Sequence, residues 1–147
     1  MRIYLDNCAF NRPFDDQSQL RVRLETEAKL YLQAAIRDGK VELVWSYILQ
    51  FENEANPFAD RKFAIDKWRP MASEEVFESS GLLACAKDLA NKGIKSKDAL
   101  HVAAAIEGSC DLFITTDDKI IKRLADLAEI RVASPTEIIG LIDEYDK

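Results

Sequence analysis

The sequence has few of the residues on which disulfide frameworks, zinc sites and histidine-activated nucleophiles depend. Its three cysteines are an odd number and form no C-x-x-C pair. We therefore expect reduced thiols in a cytoplasmic protein, and neither a disulfide frame nor a zinc site. His101 is the only histidine, and no pattern typical of a Ser–His or Cys–His nucleophile surrounds it. We interpret it as a structural residue, with a contact near a functional site as the alternative.

Long hydrophobic runs and a surplus of basic residues are also missing. No segment approaches the roughly 20 apolar residues that a membrane span needs, and the N-terminus has no basic and apolar leader. We therefore expect no membrane partner and no export signal. The net charge of −6 argues against a broad basic face that binds phosphates. It does not exclude a nuclease, because carboxylates at a metal site add negative charge.

Short apolar runs alternate with amphipathic segments along the chain, which favours an α/β fold. We predict one domain over residues 1–147: a three-layer α/β/α sandwich with a central, mostly parallel sheet. The predicted strands are 2–5, 41–45, 76–77, 112–114 and 131–133. The predicted helices are 20–37, a helix from Ser46 to the break at Asn56-Pro57, 58–69, 79–91, 96–107, 117–125 and a last helix from Ser134.

Several of these helices begin at residues that favour an N-cap. Ser46, Ser96 and Asp117 each precede a predicted helix, where a side-chain oxygen can accept a backbone N–H bond. Ser134-Pro135-Thr136-Glu137 has the form of a capping box with proline at the first helical position. Residues 11–19 contain Pro13 and paired aspartates, and we interpret them as a turn-rich connection.

Four carboxylates stand at comparable places in this predicted architecture. Asp6 ends the first strand, Asp117 follows the strand 112–114, Asp98 opens a helix and Glu52 lies in the helix after the second strand. The carboxyl ends of parallel strands are where ligands bind in open α/β sheets. Taken singly, Asp98 and Asp117 are typical of helix caps or dipole partners, and Glu52 is typical of a solvated helix residue.

Their joint arrangement favours a cation. Two carboxylates about 4 Å apart repel each other by roughly 4 kcal/mol at an effective dielectric of 20, so a fold that gathers four of them implies a positive charge between them. Carboxylate oxygens are the ligands that Mg²⁺ and Mn²⁺ prefer.

Five segments of the chain carry a resemblance to a known family. They are Tyr4-Leu5-Asp6-Asn7, the SYILQFE run from Ser46 to Glu52, Lys97 to Ala105, Phe113 to Asp117 and the helix start at Ser134. These segments resemble the PIN domain family. Together they span nearly the whole chain, in the family's order and at family-like separations. Asn7 departs from the Ser or Thr that the family often has after its first Asp.

The resemblance implies a metal-dependent endoribonuclease with Mg²⁺ or Mn²⁺ as cofactor and RNA as substrate. It implies that Asp6, Asp98 and Asp117 are inner metal ligands, and that Glu52 completes the site or orients a water as general base. Many small bacterial members are VapC-type toxins, so the resemblance also implies a small antitoxin partner and a homodimer. A non-toxin RNA-processing nuclease is the alternative within the same family.

Candidate substrate contacts are polar and basic residues near the predicted site: Asn7, Arg12, Lys97 and Thr115, with Lys95 as a further cation. Basic side chains there can hold flanking phosphates, but we interpret the basic group in residues 61–69 mainly as a solvated helix face. The rings of Phe14, Tyr47 and Phe58 could stack on unpaired bases or belong to the core.

Two further function classes compete with a nuclease. A phosphoryl-transfer enzyme would use a strand-end Asp as nucleophile, but a haloacid dehalogenase-type phosphatase needs D-x-D, and Asp6 is followed by Asn7-Cys8. A response-regulator receiver needs paired acids and a late lysine that we cannot place. A catalytically silent protein-binding module would keep the fold without chemistry, and the presence of all four acids argues against it.

Overall fold

Five short strands form one parallel sheet in a computed structural model that describes the backbone of residues 1–145 and the side chains of residues 1–142. The strand order is β3-β2-β1-β4-β5 and every adjacent pair is parallel. The strands are β1 (Arg2–Leu5), β2 (Glu42–Ser46), β3 (Glu74–Val76), β4 (Leu112–Ile114) and β5 (Arg131–Ala133). The helices are α1 (Asn7–Asn11), α2 (Leu20–Arg37), α3 (Tyr47–Glu54), α4 (Ala59–Asp66), α5 (Ser80–Ala90), α6 (Ser96–Glu107), α7 (Asp118–Arg123) and α8 (Pro135–Tyr145), with short 3-10 helices at Arg12–Phe14 and Arg69–Met71.

Helices cover both faces of this sheet, which confirms the predicted three-layer α/β architecture. Successive residues of a strand point to opposite faces, and in β1 they enter two different core clusters. Tyr4 packs in a cluster with residues of α5 and α6, whereas Ile3 and Leu5 pack in a second cluster with residues of α2 and α8. The central strands are buried on both sides, as parallel strands in such folds are.

Most predicted elements are confirmed within a residue or two, and the caps explain several boundaries. Ser46 caps α3 by accepting the N–H of Leu49 at 3.1 Å, and Ser79 caps α5 by accepting that of Leu82 at 3.1 Å. Asp117 caps α7 by accepting the N–H of Lys119 at 2.9 Å.

Three elements, β3, α4 and α7, differ from their predicted bounds. The sequence predicts the third strand at 76–77, whereas β3 lies at Glu74–Val76, where it pairs with β2. The helix expected at 58–69 ends at Asp66, and Pro70 belongs to a separate 3-10 turn. The helix expected at 117–125 is shorter, since α7 ends at Arg123.

One local prediction at a helix start was wrong. Ser96 is not an N-cap but the first residue of α6, because Lys95 keeps the extended backbone that precedes the helix and makes no side-chain cap bond. The connection predicted at 11–19 is turn-rich, as expected: α1 ends at Asn11, a 3-10 turn spans Arg12–Phe14, and bends and turns follow. The helix α1 itself was not predicted.

Among residues 1–145, no helix is long and apolar enough to cross a membrane.

Lys29 is an unusual buried cation on α2. Its side chain is 3% exposed, and its amine lies 5.2 Å from the Phe10 ring centre and 6.0 Å from that of Trp68. With its amide oxygen facing them, Gln33 accepts from Lys29 and, at 2.8 Å, from the Trp68 indole N–H. No carboxylate in the described part of the chain forms an ion pair with the amine. Burial lowers the pKa of Lys29 to about 7.

We expect Lys29→Met to stabilise the protein more at pH 6 than at pH 9.5. The folded-state pKa lies below the ordinary value of 10.5, so stability is lost as pH falls from about 10.5 to about 7, and the cost is complete below that range. The difference between the two pH values should be on the order of 3 kcal/mol. Urea unfolding at both pH values measures it, with exposed Lys87→Met as the control. An equal gain at both pH values would show that Lys29 is charged throughout.

Candidate functional site

The four predicted carboxylates lie around the carboxyl edge of the two central strands. β1 and β4 are adjacent and parallel, so the residues that follow them emerge at the same edge. Asp6 follows β1 directly and Asp117 follows β4. Glu52 reaches the edge from α3 and Asp98 from the first turn of α6.

Asp6 is the buried anchor of this group. Its residue is 5% exposed, and three donors bind its carboxylate. The backbone N–H of Asn7 donates at 2.8 Å, the Thr115 hydroxyl at 2.9 Å and the Cys8 thiol at 3.3 Å. A buried carboxylate needs such donors because its desolvation is costly. Burial and the charge of Asp6 raise the pKa of Cys8 to about 12, which leaves the thiol protonated as a donor.

Thr115 links the first and last acids of the site. Its hydroxyl donates to Asp6 and accepts the backbone N–H of Asp117 at 3.1 Å. The residue is completely buried, so it lies behind the carboxylates and not at the surface. We predicted Thr115 as a substrate contact, and this arrangement favours an orienting role instead.

Glu52 is hydrogen-bonded to His101, for which the sequence left both a structural role and a contact near the site open. His101 Nε2 hydrogen-bonds to Glu52 Oε1, and the Asn7 amide donates to Glu52 Oε2 at 3.2 Å. His101 is fully buried, and its Nε2 also lies 4.0 Å from Asp6 Oδ1. The histidine is thus both a packed core residue and a direct partner of the site. The signal for this was its place three residues after Asp98, on the same face of α6.

A chain of hydrogen bonds connects His101 to Tyr4 and Ser46. Its Nδ1 lies 2.6 Å from the Tyr4 hydroxyl, which lies 2.6 Å from Ser46 Oγ. Ser46 also caps α3, the helix that carries Glu52. The same hydroxyl therefore contributes both to the start of that helix and to the hydrogen-bond chain that reaches Glu52 through His101.

The pKa directions of His101 and Glu52 favour the charged form of each side chain. Burial lowers the pKa of His101, but the hydrogen bond with Glu52 and the charges of Asp6 and Asp98 outweigh burial, and the pKa is raised. Burial raises the pKa of Glu52, but His101, Lys97 and Asn7 outweigh it, and the pKa is lowered. Both directions favour imidazolium with carboxylate.

Asp98 has the opposite environment. Its pKa is raised by burial and by the charges of Asp6 and Asp117, with Glu52 adding to them and only His101 opposing. The charges of the other three acids therefore disfavour the ionised form of Asp98.

The donor chemistry fits a hard divalent cation, but a closed set of ligands is not preformed. All four side chains offer carboxylate oxygens, and their mutual repulsion at Asp98 is what a cation would relieve. In the part of the chain that the structure describes, no group of three or more His, Cys, Asp or Glu side chains is already arranged to hold one ion.

Asp118 is bound elsewhere, which separates it from its neighbour Asp117. Arg21 of α2 donates to both Asp118 oxygens at 2.7 Å and to the Thr116 carbonyl at 3.2 Å. The hydrogen bonds from Arg21 lower the pKa of Asp118. Asp118 is the first residue of α7, where the helix dipole favours an acid, and its carboxylate stays largely exposed while it pairs with Arg21 of α2.

The predicted basic residues fall into two groups. Arg12 is occupied by carboxylates, with Glu25 at 3.0 Å and Asp15 at 3.2 Å, so its predicted contact with substrate competes with these pairs. Lys97 is exposed and contributes to the lowered pKa of Glu52, which places it beside the acid. The group in residues 61–69 divides as well: Arg61 lines a groove with Asn7 and Glu52, whereas Lys67 lies over Phe63 and Arg69 pairs with Glu75.

We expect neutralisation of Asp98 and Glu52 to shift stability in opposite directions without added metal. Asp98→Asn should raise the melting temperature by a few degrees, because the charged form is disfavoured by its surroundings. Glu52→Gln should lower it, because His101 stabilises the charged form. Thermal unfolding in EDTA at pH 7 measures both, with exposed Asp88→Asn as the control. Shifts of the same sign would contradict the two environments.

Comparison by sequence finds no matching family model and no curated protein. Comparison by structure finds solved structures of similar fold at low sequence identity. FitAcB from Neisseria gonorrhoeae has a TM-score of 0.58 at 17% identity, over 90% of this chain and 97% of the other. VapBC2 from Rickettsia felis, bound to a DNA fragment from a promoter, has a TM-score of 0.57 at 13% identity, over 91% and 98% of the two chains. VapBC-1 from nontypeable Haemophilus influenzae has a TM-score of 0.59 at 16% identity, over 92% and 99% of the two chains. The chain therefore has the α/β fold found in these structures.

Proposed function

We propose that this protein is a metal-dependent endoribonuclease, specifically a toxin of the VapC type. The observation that carries the proposal is the like charge imposed on Asp98 by Asp6, Asp117 and Glu52 at the carboxyl edge of the sheet. The fold neighbours support a VapC-type toxin at the level of the family, and the PIN resemblance of the sequence agrees with them.

In this proposal Asp6, Asp98 and Asp117 hold Mg²⁺ or Mn²⁺. When bound, the ion polarises the phosphodiester and makes water a better nucleophile at neutral pH. Glu52 completes the site or accepts a proton from the attacking water, and His101 fixes the carboxylate for that role. Thr115 keeps Asp6 and the start of α7 in register.

Two alternatives keep the same fold. A non-toxin RNA-processing nuclease would use the same acids and differ only in its target. A catalytically silent binding module gains support from one observation, the absence of a preformed ion site among the described residues. Metal binding and cleavage separate the silent module from both nucleases.

We expect Mg²⁺ or Mn²⁺ to raise the melting temperature, because the cation relieves repulsion among the four acids. Linkage gives about 2.7 kcal/mol at a metal concentration of 100 times the dissociation constant. Thermal unfolding with millimolar metal measures the gain. Asp98→Asn should shrink the gain, whereas exposed Asp88→Asn should keep it. Identical melting with EDTA and with either ion would count against the metal site.

We expect Asp117→Asn to reduce cleavage at least tenfold and Asp118→Asn to change it little. Tenfold corresponds to about 1.4 kcal/mol in the barrier. Asp117 follows the strand tip and is tied to Asp6 through Thr115, whereas Asp118 binds Arg21. Initial rates on single-stranded RNA in Mg²⁺ or Mn²⁺ measure the effect, after thermal unfolding has shown that both variants are folded. The reverse ranking would move the site by one residue.

We further propose a small antitoxin as partner and a homodimer as the assembly. The fold neighbours FitAcB and VapBC-1 support a partner of this kind at the level of the family, and an antitoxin arginine would match the acids because its planar fork binds carboxylates. We expect a small protein to co-purify from the native host and to block cleavage. Purification without such a protein, under conditions that preserve complexes, would remove this part of the proposal.

A further inference from the structure

A groove of about 340 Å³ opens beside Glu52, between the start of α1 and the turn from α3 to α4. We call it the α3–α4 groove. Its lining combines three amides, two exposed phenylalanines and two cations, in addition to Glu52. These residues are Asn7, Asn11, Asn56, Phe51, Phe58, Arg61 and Lys97.

The three amides form a chain of hydrogen bonds that ends on Glu52, and we call this chain the amide ladder. Asn56 donates to Asn11 Oδ1 at 3.2 Å, and Asn11 donates to Asn7 through its backbone oxygen at 2.9 Å and its side-chain oxygen at 3.3 Å. Asn7 in turn donates to Glu52 at 3.2 Å. Each amide nitrogen has two N–H groups. Among the described residues, the amides of Asn7 and Asn56 each use only one of them, so hydrogen-bonding capacity remains along the ladder.

An aromatic platform stands at the far side of the groove. The Phe58 ring is part of a residue that is 55% exposed, and the Arg61 guanidinium lies 4.5 Å from its centre. Arg61 is fixed in turn by the Phe14 carbonyl at 2.7 Å and Asp15 at 3.2 Å. The backbone of Phe58 is tied to the Asn56 side chain at 3.1 Å. The platform is therefore pre-organised, which lowers the entropic cost of binding.

This combination matches an unpaired nucleobase better than an apolar peptide face. A base presents two flat faces for stacking on Phe or Arg and an edge of donors and acceptors for amides. Lys97 and Arg61 add positive charge to the groove, where flanking phosphates could bind. An amphipathic peptide helix would need a continuous apolar stripe. The apolar lining residues Phe51, Ala55, Pro57 and Phe58 share this groove with three amides and three charged side chains.

We propose that the α3–α4 groove binds one unpaired base of a single-stranded RNA, next to the phosphodiester that lies at the four acids. The base stacks on the platform of Phe58 and Arg61, and the amide ladder connects its binding to the position of Glu52. This inference rests on the proposed nuclease function and specifies its substrate as single-stranded at the site.

The chain contains a matched control for the platform. Phe58 is the N-cap residue of α4, and Phe63 lies within that helix. Phe63 is 64% exposed and has the Lys67 amine 4.5 Å from its ring centre. It does not line the groove. Phe58→Ala and Phe63→Ala therefore remove the same side chain from similar surroundings, and only the first alters the proposed base site.

Binding is measured on the full chain carrying Asp98→Asn, so that cleavage does not intervene. The probes are a labelled short single-stranded RNA of mixed sequence and an abasic strand of the same length, followed by fluorescence anisotropy. We expect Phe58→Ala to raise the Kd for the base-bearing strand about tenfold and that for the abasic strand less than twofold. Phe58→Trp should restore binding, and Phe63→Ala should change neither Kd by more than twofold.

Equal binding by Phe58→Ala and the parent chain would overturn the proposal, as would an equal loss on both strands. Loss of binding to a co-purifying protein but not to RNA would assign the groove to that partner and also overturn it. Cleavage is assayed in parallel with chains that keep Asp98, with and without Phe58→Ala, and this assay separates the base site from the nuclease function. Equal cleavage by these two chains overturns the base site alone. Binding that depends on Phe58, without cleavage, supports the base site and overturns the nuclease.

Discussion

The buried carboxylate of Asp6 is the constraint on which the rest of the site depends. A charge at the tip of a central strand is costly unless donors surround it. Here the donors come from α1 and from the end of β4, through Asn7, Cys8 and Thr115. Satisfying one acid therefore fixes the direction in which the chain leaves β1 and the place where it leaves β4. The position of Asp117 depends on the same arrangement, because its backbone N–H donates to the Thr115 hydroxyl, which in turn donates to Asp6.

The remaining two acids are held in contrasting ways. Glu52 is hydrogen-bonded to His101, which is linked to Tyr4 and Ser46. Among the described residues, Asp98 has no such hydrogen bond, and burial, with the charges of Asp6, Asp117 and Glu52, raises its pKa. In the proposed nuclease, this difference would let Asp98 help to bind a cation while His101 keeps Glu52 oriented.

Much of the fold could be predicted from the sequence because its determinants are local. Buried strands such as Leu112–Ile114 and caps such as Ser46 and Ser79 are visible as short patterns. The helix α1 was missed because its five residues, NCAFN, are too few to show a period, and because Asp6 serves as both N-cap and candidate ligand. The His101–Glu52 bond and the Arg21–Asp118 pair could not be predicted, since each joins residues that only the tertiary fold brings together.

In the proposed nuclease, base stacking would add to the affinity that charge supplies. Three arginines pair with the protein's own acids: Arg12 with Glu25, Arg21 with Asp118 and Arg69 with Glu75. These pairs compete with contacts to a phosphate backbone, which are the usual source of nucleic-acid affinity. Because the net charge of the chain is −6, a contact that does not depend on charge would be the more valuable. The exposed ring of Phe58, whose backbone is tied to the Asn56 end of the amide ladder, would be such a contact.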